Sequence, residues 1–304
     1  MSRIQILFIA LFIFILSGCN DSEQNNYNPT YSDKPTQIAQ TYIFGIHPLH
    51  NPKRLFEVYQ PLMDYLNKNI KNVEFKLEAS RNYASYDKKL FSEYFDFSLP
   101  NPYQTVKSLE HGYKVFGKMG DDKNFRGIIL VRKDSNIKNI SDLKGKVVSY
   151  PAPTALAATM MPQYYLHTHG ININKDIKNS YVGSQESSIM NVYLKKSIAA
   201  STWPPPWRAF IKERPEVAKE VEIKWETDYL PNNGLVVRKD IPKELVEQVS
   251  TLLFNLHTTK EGQYILKAME LSRFEKADED TYSSVIEFLT IFERDVRKIR
   301  GQND

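Results

Sequence analysis

Short apolar runs alternate along the first part of the chain with segments whose apolar residues recur every three or four positions. A strand is predicted at 42–46, and residues 53–70 carry apolar side chains at helical spacing. A strand at 73–77, a helix around 83–94 and a strand at 95–99 follow. This β-α-β-α-β order predicts an α/β sheet.

The same alternation continues through the middle of the chain. Residues 150–162 read YPAPTALAATMMP and lead a helix that should end near His169. Strands are predicted at 147–150, 180–183 and 198–202, and helices over 186–196 and from about 206 to 219. Beyond residue 242, amphipathic runs such as LVEQVSTLLFNLH predict a mostly helical C-terminal third.

One strand pattern occurs twice. GIILVRKD at 127–134 is echoed by GLVVRKD at 234–240, and the two bracket an α/β block. Chance similarity is one explanation, because apolar strands often end in charged turns. The other is that the chain crosses between two lobes at these strands. We therefore expect lobe 1 to comprise residues 41–130 plus 235–304, lobe 2 to comprise 131–234, and a ligand cleft to lie between them.

The N-terminus resembles a bacterial lipoprotein signal. An apolar run follows a single Arg and ends in Leu16-Ser17-Gly18-Cys19, which is similar to the lipobox whose Cys is acylated. The alternative is an uncleaved anchor with an incidental Cys. We expect a signal peptide at 1–18 and a flexible polar tether at 19–40, with the protein extracytoplasmic and lipid-anchored to a bacterial membrane.

Composition and motifs argue against several classes of function. The formal net charge of +4 is too small to indicate nucleic-acid binding. Cys19 is the only cysteine, so no disulfide can form within the chain. The chain has no nucleophile elbow, phosphate loop or zinc-protease motif. His47 and His50 form a close pair, but a zinc site needs three or four convergent ligands, so we interpret them as loop or surface residues. We expect no enzyme activity, no cofactor and no metal.

Several segments together resemble the phosphate, phosphite and phosphonate binding proteins of ABC importers, which are two-lobed periplasmic binding proteins. The similarity covers nearly all of the chain after the tether. It is carried by FGIHPLHNP at 44–52, YQPLMDYLNK at 59–68, NYASYDKKL at 82–90, ILVRKDSNIKNISDLKGK at 129–146 and MPQYYL with a following GI at 161–171. The resemblance implies an α/β fold of two lobes, each a mixed sheet flanked by helices, with two crossover strands as the hinge.

The resemblance also implies ligand contacts. In the family, the Tyr that corresponds to Tyr83 points into the cleft, and a Ser-Thr-Ser run at a helix N-terminus holds the phosphonate group. Aligning that motif on Pro153 and Pro162 puts Ala155-Leu156-Ala157 at the three hydroxyl positions. Further contacts are expected where the family places them, at Asn101, Tyr103, Ser184 and Gln185.

Other candidates follow from the residues themselves. Thr154 precedes the Ala-rich segment, so it can cap that helix, with or without a ligand. Thr202 and Trp203 follow a strand and should face the cleft, unless the proline-rich segment after them is only a rigid turn. Arg126 and Arg208 are possible anion partners, because guanidinium pairs with tetrahedral oxyanions.

These features predict a solute-binding lipoprotein that captures a small oxyanion by hinge closure and delivers it to an ABC permease. We expect a monomer that contacts its small anionic ligand, the permease and, through Cys19, the membrane. Two alternatives stay open. The same fold can serve as a sensing or partner protein for a histidine kinase without transport, and a metal-dependent enzyme would use His47 and His50.

Overall fold

The computed structural model describes residues 39–300. The expected signal peptide, Cys19 and the tether up to residue 38 lie outside the described residues. Within residues 39–300, no helix has both the length and the apolar character needed to cross a membrane.

The elements alternate as the hydrophobic pattern predicts. The strands are β1 (Gln40–Ile46), β2 (Val73–Ala79), β3 (Phe97–Leu99), β4 (Tyr113–Met119), β5 (Arg126–Arg132), β6 (Val147–Tyr150), β7 (Lys178–Tyr181), β8 (Ala199–Thr202), β9 (Val221–Tyr229), β10 (Gly234–Arg238) and β11 (Phe274–Glu275). The α-helices are α1 (Pro52–Asn69), α2 (Tyr83–Phe91), α3 (Pro102–Ser108), α4 (Met161–Thr168), α5 (Gln185–Tyr193), α6 (Pro204–Glu213), α7 (Pro215–Glu220), α8 (Lys243–Phe254), α9 (Lys260–Ala268) and α10 (Ser283–Asp295). A π-helical turn, Leu156–Met160, directly precedes α4.

Two mixed sheets organise the fold. The first has the order β11-β4-β10-β3-β1-β2, and the second has the order β7-β6-β8-β5-β9. In the first sheet β1 pairs in parallel with β2 and β3, and in the second β6 pairs in parallel with β7 and β8. The α/β class and the flanking helices, which are typical of two-lobed binding proteins, are confirmed.

The crossing points between the sheets differ from the expected ones. Strand β5 pairs with β8 over Ile128–Val131 and with β9 over Arg126–Arg132, so the boundary expected at residue 130 falls inside a strand of the second sheet. The chain passes to the second sheet after β4 and returns to the first sheet between β9 and β10. The echoed strands β5 and β10 thus lie in different sheets, just after each crossing.

The two crossing segments run side by side. Asn232 donates its backbone N–H to Asp122 Oδ1 at 3.0 Å and its Nδ2 to Gly120 O at 2.7 Å. The Leu230 N–H donates to Phe125 O at 3.1 Å. Both crossings are therefore held together by a few hydrogen bonds rather than by a sheet, as is typical of a hinge.

Two differences in the elements have local causes. The helix expected from about 206 to 219 is two helices, because Pro215 cannot continue α6 and Arg214 before it adopts a non-helical backbone. Strands β4 and β9 were not predicted. Strand β9 lies at the edge of the second sheet, and within it only Val221 is buried, so its Glu and Lys residues leave no clear apolar alternation to detect.

Candidate functional site

A small cavity lies where the parallel strands of both sheets end. All of its lining residues except Phe125 follow the carboxyl ends of β1, β2, β3, β6, β7 and β8, and the free space between them is about 10 Å³. The lining residues are His47, Tyr83, Asn101, Phe125, Ala155, Leu156, Ala157, Ala158, Gln185 and Trp203. In open α/β sheets this edge is the usual place for a ligand.

One wall of the cavity is formed by residues 155–158, which include the three positions where the family motif carries hydroxyl residues. The first hydrogen bond within this turn is donated by the Thr159 N–H to Ala155 O at 2.8 Å. The N–H groups of Leu156, Ala157 and Ala158 consequently donate to no acceptor within residues 39–300. Three unpaired N–H groups at the positive end of a helical segment suit an anion and need no side-chain donor.

Close packing holds this turn in place. A Cβ at Gly127 in β5 would lie 2.6 Å from Ala157 O and 2.5 Å from the Pro162 ring, so only glycine lets β5 approach the turn so closely. Pro162 lies in the first turn of α4, directly after the π-helical turn, and cannot donate a hydrogen bond to that turn. The regular α-helix begins at Met161, one residue before Pro162.

Neutral polar side chains supply further donors. Gln185 donates Nε2 to the Tyr83 hydroxyl at 3.3 Å, and Thr202 donates its hydroxyl to Gln185 Oε1 at 2.7 Å. Asn101 Nδ2 donates to Thr154 O at 3.1 Å across the two sheets. Thr202 therefore orients Gln185, while Tyr83 and Asn101 place their donor groups beside the cavity.

The remaining wall is apolar. The rings of Phe125 and Trp203 lie 5.5 Å apart, and both residues are almost completely buried. Trp203 is the N-cap of α6, and Pro204, Pro205 and Pro206 fill its first turn. Because proline has no N–H, this helix end offers no backbone donor and the Trp203 side of the cavity is hydrophobic.

His47 lines the cavity in its neutral form. Burial, with a smaller contribution from nearby His50, lowers the pKa of His47 to about 4. Its Nδ1 lies 2.8 Å from Leu99 O. Since a carbonyl oxygen only accepts, Nδ1 carries the hydrogen of the neutral ring.

Asp87 and Thr154 meet beside the cavity. Burial raises the pKa of Asp87 to about 7, although hydrogen bonds from Gln104 and Thr154 act in the opposite direction. Gln104 donates Nε2 to Asp87 Oδ1 at 2.5 Å, and the Thr154 hydroxyl lies 3.4 Å from Asp87 Oδ2. The expected role of Thr154 as a helix cap is wrong, since Ala155 is the N-cap of the turn and Thr154 bonds to Asp87 instead.

Charged residues join the sheets at the rim. His50 Nδ1 lies 3.6 Å from Glu186 Oε1, and the Asn51 N–H donates to the same oxygen at 3.3 Å. Burial acts to raise the pKa of Glu186, but the hydrogen bond and charge of His50 hold it below its usual value. Arg54 pairs with Glu213 nearby. These contacts hold the two sides of the cleft together outside the cavity.

The C-terminal segment makes a second connection behind the cavity wall. Arg297, which follows α10, donates Nε to Gln163 Oε1 at 2.8 Å and one terminal nitrogen to Pro153 O at 2.7 Å. Its guanidinium carbon lies 5.1 Å from the Phe292 ring. Arg297 thus ties the end of the chain to the segment that carries the unpaired N–H groups.

The structure brings together half of the predicted site residues. Tyr83, Asn101, Ala155, Gln185 and Trp203 line the cavity. Thr154 and Thr202 contact lining residues directly.

The other predicted residues lie elsewhere. Arg126 pairs with Glu226 at 2.6 Å and lies outside the residues that line the cavity. Arg208 likewise pairs with Glu270 at 3.0 Å. Ser184 caps α5 by accepting from the Ser187 N–H, and Tyr103 is buried outside the lining set.

The prediction missed two large side chains of the site. Phe125 lies in a crossing segment that no periodicity marks, and His47 was interpreted as a loop or surface residue although it is buried. The signal for His47 was its place directly after a buried parallel strand. Within residues 39–300, no group of three or more His, Cys, Asp or Glu is arranged to hold a metal ion.

Comparisons with known proteins agree with this arrangement. A family model described as the periplasmic substrate-binding protein of phosphonate ABC transporters matches residues 44–282. A probable ABC transporter phosphite-binding protein from Prochlorococcus marinus (strain MIT 9301) is 25% identical over 186 residues, which cover 57% of this chain and 63% of the relative. The phosphonates-binding periplasmic protein of Escherichia coli (strain K12) is 22% identical over 183 residues, which cover 58% of this chain and 54% of the relative. The matches therefore span less than two thirds of either relative.

Solved structures share the fold. A binding protein component of an ABC phosphonate transporter from Pseudomonas aeruginosa superposes with a TM-score of 0.78 at 17% identity, covering 84% of this chain and 87% of that one. PhnD1 from Prochlorococcus marinus, in complex with methylphosphonate, superposes with a TM-score of 0.76 at 21% identity, and the match covers 84% of this chain and 99% of that one.

Proposed function

Because this chain belongs to the family of periplasmic substrate-binding proteins of phosphonate ABC transporters, we propose that it captures a small oxyanion between its two sheets and delivers it to an ABC permease. The observation that carries the proposal is the cavity wall with three unpaired N–H groups at the carboxyl edge of both sheets. The relatives are transporter binding proteins, which favours import over sensing for a kinase.

The walls of the cavity indicate a ligand with two chemically different ends. Backbone N–H groups and the donors of Tyr83, Asn101 and Gln185 suit the oxygens of an anion. Phe125 and Trp203 form a wall that suits a hydrogen or methyl substituent better than a fourth oxygen. This division favours phosphite or a small phosphonate over phosphate.

Binding would be coupled to closure. In this proposal, the first sheet with its helices is lobe 1, the second sheet with its helices is lobe 2, and the paired segments near Asp122 and Asn232 are the hinge. A ligand that contacts both lobes stabilises the closed form, which docks on the permease. The lobes would act in a single chain, as a monomer.

The family places such proteins outside the cytoplasm, and the proposed anchor is an acylated Cys19. Cys19→Ser should move the protein from the membrane fraction to the soluble fraction of cells and should abolish labelling by a fatty-acid analogue. A protein that stays in the membrane fraction without label would contradict lipid anchoring and favour an uncleaved anchor.

A thermal-shift and native-mass panel tests the ligand class. The purified protein is mixed with phosphate, phosphite, methylphosphonate, methanesulfonate or arsenate. At a concentration about one hundred times the dissociation constant, binding stabilises the fold by about 2.7 kcal/mol, which raises the melting temperature by at least about 4 °C. We expect phosphite or methylphosphonate to give the largest shift.

Two variants locate the site. Tyr83→Phe removes a hydroxyl beside the cavity and should reduce the shift, whereas Arg126→Ala, outside the cavity, should leave it unchanged. If none of the five anions shifts the wild-type protein, the oxyanion proposal is wrong. If Arg126→Ala abolishes the shift and Tyr83→Phe does not, the proposed location is wrong.

A further inference from the structure

The cavity contains one hydrogen-bond acceptor that the proposed function does not explain. His47 is 3% exposed and its Nδ1 hydrogen is committed to Leu99 O. Its other ring nitrogen, Nε2, forms no hydrogen bond with any residue in 39–300, and the ring lines the cavity. In the neutral tautomer that Leu99 fixes, Nε2 carries a lone pair.

The groups around the ring leave that lone pair unprotonated. Tyr83 and Tyr86 of α2 pack edge-on, with centroids 6.3 and 6.4 Å from the imidazole, and the Tyr86 hydroxyl is engaged with Ser98 Oγ at 2.7 Å. His50 is the neighbouring titratable group on the same loop. The nearest carboxyl groups are occupied elsewhere, since Glu186 contacts His50 and Asp87 accepts from Gln104.

Every other polar group described in the lining can donate. The N–H groups of the Ala155–Ala158 turn, the Tyr83 hydroxyl and the side-chain amides of Asn101 and Gln185 all suit ligand oxygens that accept. No Lys or Arg lies among the described lining residues, so no cation compensates a second negative charge on the ligand. A fully ionised dianion would set one of its oxygens against the His47 lone pair.

Building on the proposed function, we propose that His47 Nε2 accepts the hydrogen of a P–OH group, so that the site selects the singly protonated anion and rejects dianions and sulfonates. A protonated phosphite or phosphonate satisfies the one acceptor and the several donors at once. A sulfonate has the same shape but no hydrogen to donate. An unsatisfied buried acceptor weakens binding, which is the physical source of the discrimination.

The test is calorimetric titration of the purified protein with methylphosphonate and methanesulfonate between about pH 5.5 and 8.5, a window that spans the second ionisation of phosphoryl groups near about 6 and above. If only the monoanion binds, the methylphosphonate dissociation constant rises about tenfold per pH unit once the ligand ionises. Methanesulfonate should bind at least about tenfold more weakly than methylphosphonate, because it cannot form the hydrogen bond to His47 Nε2.

Variants separate the ligand's ionisation from that of the protein. Asp87→Asn removes the nearby carboxyl group and should retain the slope. His47→Asn keeps a donor for Leu99 O but removes the acceptor at the position of Nε2. The affinity for methylphosphonate should therefore fall about tenfold, and the ratio of the methanesulfonate to the methylphosphonate dissociation constant should become smaller. His47→Gln can turn its amide and present a donor, so it should bind the sulfonate better than wild type does.

The outcomes are distinct. If methylphosphonate binds wild type with an affinity that is constant or rises with pH, or if methanesulfonate binds equally well, the inference about His47 is wrong while the oxyanion site stands. If neither binds and the wider panel is also silent, both the inference and the proposed function are overturned. A slope lost in Asp87→Asn assigns the proton to Asp87 and overturns the role of His47.

Discussion

Asp87 is a carboxylic acid that the fold keeps protonated near neutral pH, and its replacement by Asn should stabilise the protein. Burial raises its pKa from 3.8 to about 7. Between those values the native state holds a proton that the unfolded chain releases. Stability therefore falls as the pH rises through this window and levels off above the native pKa.

The size of the effect follows from the shift. Each unit corresponds to about 1.4 kcal/mol, so a change of about three units gives at most about 4 kcal/mol, and less because Asp87 retains partial exposure. In the Asp87→Asn variant, the amide would keep an oxygen for Gln104 Nε2 and an N–H₂ for the Thr154 hydroxyl. The variant should thus gain about 1.4 kcal/mol over wild type for each pH unit from about 4 to 7.

Urea unfolding of both proteins at several pH values between about 4.5 and 8 measures this difference. The neutral His47 contributes a pH dependence of opposite sign, but it is common to both proteins and cancels. Asp142→Asn is the control. Asp142 is half-buried and accepts the N–H groups of Lys138 and Asn139. These bonds lower its pKa, so the difference in unfolding free energy between Asp142→Asn and wild type should be constant in this range. If the difference between Asp87→Asn and wild type does not change with pH, Asp87 does not carry a raised pKa in the folded protein.

Three further substitutions test the walls of the cavity. Arg297→Met removes the hydrogen bonds to Gln163 and Pro153 and should lower the free energy of unfolding in urea by about 1–3 kcal/mol; an unchanged value would contradict the role of this link. Ala157→Ser adds a hydroxyl donor and should tighten methylphosphonate binding about threefold to tenfold by calorimetry. Trp203→Ala should weaken methylphosphonate more than phosphate, and an equal loss for both would argue against an apolar-substituent wall.

The sequence was sufficient for the fold because its signals were local and periodic. Strands such as β1 and β6 are short apolar runs, and α1 has apolar residues at helical spacing. Strand β4 was missed, and the boundary within β5 was misplaced. Which sheet a strand joins depends on pairing partners distant in the sequence, here Ala199–Thr202 for β5, and periodicity does not encode this.

The sequence predicted those site residues that directly follow a strand. Asn101, Gln185 and Trp203 follow strands directly, so the edge of the sheet fixes their location. Arg126 lies outside the cavity and pairs with Glu226, which the sequence does not reveal, because a guanidinium that pairs with a neighbouring strand looks the same in sequence as one that faces a ligand. The neutral state of His47 was also hidden, since it depends on burial by residues from α2 and β3.

A crystal structure of the protein with methylphosphonate or phosphite would show directly whether an oxyanion binds in this cavity. We predict that the phosphorus lies between the two sheets and that ligand oxygens lie about 2.9 Å from the backbone nitrogens of Leu156, Ala157 and Ala158. The substituent on phosphorus should face Phe125 and Trp203. A ligand bound anywhere else, or one held without those N–H groups, would contradict the account.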